Sequence, residues 1–136
     1  MIFSADITTK LLRPIFASRV PAGFPSPAED FVEGALDLNQ HLIDHPSATF
    51  FLRVSGDSMI GAGIFADDLL IVDRSLTAKS NDIVIAVLHG DLTVKRLVQD
   101  VDGWILHAEN SEYPDIALPE DSEIWGVVIN AVRYFR

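Results

Sequence analysis

Three prolines, Pro21, Pro25 and Pro27, stand within seven residues around Gly23. Each fixes φ and removes a backbone donor, so neither a helix interior nor a central strand can run through this stretch. The segment from Arg19 to Ala28 must be an extended, accessible connector between a head and a body. Its composition fits a flexible linker. Because proteases bind extended backbone, it equally fits a substrate segment, and the residues alone leave both readings open.

With 136 residues, 49% of them apolar and 22% charged, the chain has material for one folded core. It contains no cysteine, which removes disulfides and thiolate metal sites and leaves a hydroxyl, an amine or a carboxylate as the available nucleophiles. The formal net charge of −10 argues against a broad phosphate-binding surface, so direct sequence-specific DNA binding is not expected. The charge is also uneven. Met1 to Ala22 carries Lys10, Arg13 and Arg19 against Asp6, whereas nearly all the acids come after Gly23. No apolar run approaches the roughly 20 residues of a membrane span, and the first residues lack the flanks of a secretory signal. The expected setting is the cytoplasm.

After the connector, apolar residues at Phe31, Val32, Ala35, Leu36, Leu38, Leu42 and Ile43 predict one or two short helices ended by Pro46. The remainder reads as strands over Thr49–Val54, Leu69–Asp73, Ile83–Leu88, Leu92–Val98, Trp104–His107 and Ile124–Tyr134. His89-Gly90-Asp91 supplies a tight reversal between two of them. The fold class is mainly β: short curled strands around a core, a small helical lead-in and an extended N-terminal arm. Asp67-Asp68 and Asp121 to Glu123 read as solvated turns. Trp104, Trp125 and Tyr134 read as core or dimer-contact residues. In the head, Ile2, Phe3, Leu11, Leu12, Ile15 and Phe16 suggest packing on the body.

Two places can carry chemistry. In Val54-Ser-Gly-Asp-Ser-Met59 a strand gives way to a glycine-containing turn with Ser58 at its tip, a composition that also suits an ordinary turn. A serine hydroxyl needs a base, and lysine serves when burial lowers its pKa enough to keep it neutral. Lys95 lies on a strand whose alternation puts Thr93, Lys95 and Leu97 on one face, while Val94 and Arg96 take the other. A lysine on a solvated strand has the same local signature.

Taken together, Ala22-Gly-Phe-Pro-Ser-Pro27, Ser55-Gly-Asp-Ser-Met59, Asp67-Asp-Leu-Leu-Ile-Val-Asp73, Asp82-Ile-Val-Ile-Ala86, Thr93-Val-Lys95 and Gly126-Val-Val-Ile129 resemble the UmuD branch of the LexA-like serine-lysine autoproteases. The resemblance runs in order from the connector to the end of the chain. It implies that Ser58 is the nucleophile, that Lys95 is the general base and later acid, and that the bond cut is Ala22-Gly23. Backbone amides around Asp57 and Ser58 would form the oxyanion hole, and no cofactor or metal takes part. It further implies an arm over 1–22 removed by self-cleavage, a connector over 23–28 and a protease and dimerisation body over 29–136. The implied partners are a second copy in a homodimer, a RecA filament on single-stranded DNA that stimulates cutting, and a UmuC-type polymerase subunit. The implied role is SOS mutagenesis.

Other classes fit less well. A repressor of this family would carry a helix-turn-helix domain, for which 22 residues are too few. A signal peptidase shares the serine-lysine arrangement but needs membrane anchorage. His41 and His45 stand four apart like the ligands of a zinc protease, yet Leu42 occupies the position of the required glutamate and Pro46 ends the helix. A non-cleaving interaction module with the same fold remains the rival from another class.

Overall fold

A computed structural model describes residues 3–4, 10–17, 19–25 and 32–136. The chain divides into two compact units, Asp6–Asp44 and a larger unit of Met1–Ala5 with His45–Arg136.

In the smaller unit, β2 (Leu12–Phe16) pairs antiparallel with β3 (Val32–Asp37), and α1 (Leu38–Leu42) comes next. The helix expected over 31–43 is thus confined to its second half. Gly34 weakens a helix at the centre of the first half, and β2 offers a partner strand that local periodicity cannot reveal. Residues 19–25, which include Ala22 and Gly23, lie in the loop between β2 and β3 without helix or strand and are exposed, as the prolines require. Residues 26–28 of the expected connector lie outside the described residues, as does Ile2. Leu11, Leu12 and Ile15 are exposed on their strand, and backbone pairing holds β2 to β3.

The larger unit is built on one antiparallel sheet. It contains β1 (Phe3–Ser4), β4 (Thr49–Arg53), β5 (Leu69–Asp73), β6 (Ile83–Leu88), β7 (Asp91–Asp100), β8 (Gly103–His107), β9 (Ile116–Ala117) and β10 (Glu123–Val132), in the order β1-β4-β5-β10-β6-β7-β8-β9. The central strands are apolar on both faces. Along β6, Ile85 joins a cluster with Leu52, Val54, Met59, Ile64, Leu70 and Val72, while Val84 and Ala86 join a second with Leu97, Leu106 and Val127. That is the period-two alternation of a strand buried on both sides. His89 and Gly90, both at positive φ, form the two-residue turn joining β6 to β7, and this turn fixes Val84 opposite Lys95.

One acid departs from expectation. Asp67 is exposed, but Asp68 is buried, accepting Arg133 Nε and Nη2 at 2.7 Å each and the Phe65 amide at 2.9 Å. Arg133 also lies over the Phe65 ring, 4.2 Å from its centroid. A buried carboxylate requires such a partner, and here it comes from 65 residues further along the chain. Trp125 is half-buried beside Phe50 under Arg74, whereas Tyr134 is exposed and Trp104 only partly covered.

Candidate active site

Four pieces of the larger unit form a cleft of about 340 Å³: the end of β4 with residues 53–58, Leu70 of β5, Ile85 of β6, and Leu92 to Lys95 of β7, with Tyr113 completing the wall. Gly56 lies at φ 82°, in the left-handed region that glycine enters without strain, and turns the chain so that Ser58 faces β7. The next residue, Met59, is buried in the core and roots the turn there.

Lys95 is 7% exposed. Its Nζ lies 3.0 Å from Ser58 Oγ, 3.0 Å from Thr93 Oγ1 and 3.1 Å from the Val94 carbonyl oxygen. Among the described residues no carboxylate pairs with it. Burial without a counter-ion disfavours the ammonium form and holds the amine below its usual 10.5. A neutral amine has two N–H groups and one lone pair. Thr93 Oγ1 and the Val94 carbonyl can take the two N–H groups, leaving the lone pair for the hydroxyl proton of Ser58. The fold thus brings together the two side chains singled out from the sequence, and Thr93 stands on the strand face assigned to it.

Within the described residues, the backbone N–H groups of Asp57 and Ser58 donate to no protein acceptor. Asp57 is held from elsewhere: Tyr113 donates its hydroxyl to Oδ1 at 2.6 Å, and Asn110 Nδ2 donates to the Asp57 carbonyl at 3.0 Å. Neither residue carries a local sequence signal of this role. Asn110-Ser-Glu-Tyr-Pro reads locally as a turn, and nothing in it points to Asp57.

No group of three or more His, Asp or Glu side chains suited to a metal occurs among the described residues. His45 Nδ1 instead meets the buried Asp73 carboxylate at 2.6 Å. Likewise, among the described residues no helix is long and apolar enough to cross a membrane.

The sequence profile of the Peptidase S24-like family matches residues 14–129. Protein ImpA of Salmonella typhimurium is 46% identical over 125 residues, 92% of this chain and 86% of that protein. Protein SamA of the same species is 48% identical over 123 residues, 90% of this chain and 86% of its own. The LexA repressor of Caldicellulosiruptor saccharolyticus is 38% identical over 123 residues, 90% of this chain but 60% of the repressor. With a mainly β body and these similarities over most of its length, the chain belongs to the Peptidase S24-like family of serine peptidases, in its LexA-like, UmuD-type branch.

Proposed function

We propose that the protein cuts its own chain between Ala22 and Gly23, with Ser58 as nucleophile and Lys95 as general base and then general acid. The observation that carries this reading is the 3.0 Å approach to Ser58 Oγ of a buried Lys95 amine that pairs with no carboxylate among the described residues. Neutral Lys95 takes the Ser58 proton as Oγ bonds to the Ala22 carbonyl carbon, and the amides of Asp57 and Ser58 donate to the oxygen as it gains charge. The Ala22-Gly23 C–N bond then breaks, Lys95 delivers its proton to the Gly23 nitrogen, and an ester joins Ser58 to Ala22. Water attacks this ester while giving a proton to Lys95. The ester C–O bond breaks, and that proton returns to Ser58 Oγ. Small residues on both sides of the bond suit a narrow cleft, and Pro21 and Pro25 keep the flanks from folding into helix.

In this reading the protein is a cytoplasmic SOS-mutagenesis accessory factor that works as a homodimer. A RecA filament on single-stranded DNA stimulates the cut by binding the cleavable conformation more tightly than the resting one. The shortened form then serves a UmuC-type polymerase in lesion bypass. Family membership supports this role, and an acidic chain that docks on proteins rather than on phosphate is consistent with it.

The test is intact mass after incubation of the unmodified chain, Ser58→Ala and Lys95→Ala, with and without RecA filament. Fragments 1–22 and 23–136 are expected from the unmodified chain alone. Equal cutting of Ser58→Ala, or an unmodified chain that stays whole even with filament, would overturn the proposal.

A further inference from the structure

The turn carrying Ser58 is short and hinges on a glycine, yet the proposed chemistry needs its hydroxyl and amides held to a fraction of an ångström. Asp57 is gripped at two points by one distant segment, with Tyr113 on its carboxylate and Asn110 on its carbonyl. That segment is itself anchored. The Gly61 amide donates to the Glu109 carbonyl at 2.8 Å, and a Cβ on Gly61 would come within 2.5 Å of that oxygen, so only glycine allows the approach. Arg96 Nε meets Glu109 Oε1 at 2.5 Å, and His107 Nδ1 meets Asp115 Oδ1 at 2.6 Å across the segment's two ends. Adjacent residues of β7 thus do two jobs: Lys95 reaches Ser58, and Arg96 secures the segment that holds the turn of Ser58.

We propose that Tyr113 and Asn110 are positioning residues of this site, a latch that fixes Asp57 and through it the nucleophile and the amides beside it. The inference rests on the reading of Ser58 as nucleophile. The latch also suits an alkaline reaction. The hydrogen bond to Asp57 and its charge raise the Tyr113 hydroxyl above its usual range, which keeps it a donor further into alkali.

The test compares self-cleavage rates of the full chain across pH, alongside thermal midpoints, for Tyr113→Phe, Asn110→Ala, Asp57→Ala, Asp57→Asn, the double variant Asp57→Ala/Tyr113→Phe, and Ser58→Ala. Tyr113→Phe removes one oxygen, so it should fold with an unchanged thermal midpoint and cut about fivefold more slowly at every pH. The midpoint of its pH profile should not move, because Lys95 is untouched. Asp57→Asn keeps an acceptor for Tyr113 and should restore most of the rate lost in Asp57→Ala. The double variant should be no slower than Asp57→Ala. Unmodified rates in Tyr113→Phe and Asn110→Ala, with Ser58→Ala inert, overturn the latch and leave the nucleophile standing. Cutting by Ser58→Ala overturns the reading beneath it.

Discussion

Leu92→Asp should change when the protein cuts itself without changing how fast it can. Leu92 lines the cleft with Lys95 and is 43% exposed, so a carboxylate fits there without entering the core. In the unmodified chain, burial lowers the Lys95 amine from 10.5. Below its pKa the neutral fraction, and with it the rate, rises tenfold per pH unit; above it the rate is level. At the usual pKa only about one amine in a thousand is neutral near pH 7.5, and each unit of depression multiplies that by about ten. A carboxylate favours the ammonium by one to three units when close and shielded, and by about half a unit from position 92, roughly 10 Å along the strand and on its other face. Leu92→Asp should therefore slow cutting about threefold near neutrality while reaching the unmodified plateau in alkali. The assay is the initial rate of fragment 1–22 by intact mass from about pH 6.5 to about pH 11. A midpoint at or above 10.5 in the unmodified chain, or a uniform loss of rate in Leu92→Asp, would refute Lys95 as a base activated by burial.

Two further outcomes test the frame around the site. Met59→Ala removes a side chain only 1% exposed and should cost about 2 to 5 kcal/mol in urea unfolding; a loss under about 1 kcal/mol would mean that the turn is not rooted in the core. Hydrogen bonds from Arg133 hold Asp68 below its usual 3.8 despite burial, so the folded carboxyl loses its charge at lower pH than the unfolded one. Its stabilisation is then full above about pH 4 and is lost as pH falls through the lower folded value. Asp68→Asn should flatten the acid limb of the urea midpoint against pH, and an unchanged slope would show that the pair contributes nothing.

How much the sequence disclosed depends on the reach of its signals. Leu69–Asp73 and Ile83–Leu88 are runs of Val, Ile and Leu bounded by turn residues, and they are strands over those same residues. β2 and β3 escaped notice because each is a strand only by virtue of the other, and the apolar spacing of 31–43 resembles a helix. Asp68 shows the same limit: its neighbours suggest a turn, and Arg133 lies far beyond any local window. Ser58 and Lys95 were legible as candidates because a hydroxyl on a glycine turn and a cation on a strand stood among ordered family segments. Tyr113 and Asn110 were not, since a tyrosine gripping a carboxylate 56 residues away looks like any other loop tyrosine.

The pairing of β2 with β3 bears on the fate of the arm after the proposed cut. Ala22 and Gly23 lie in the loop that joins these strands, so severing that bond leaves Leu12–Phe16 still hydrogen-bonded to Val32–Asp37. Scission and departure of the arm are then separate events. The intact loop holds the two strands at high effective concentration; once it is broken, the arm is retained by the pairing of β2 with β3 and of β1 with β4. When the arm does peel away, β3 is left with a row of unmatched N–H and C=O groups. The shortened protein would gain by subtraction an open strand edge, ready to accept a strand from another chain.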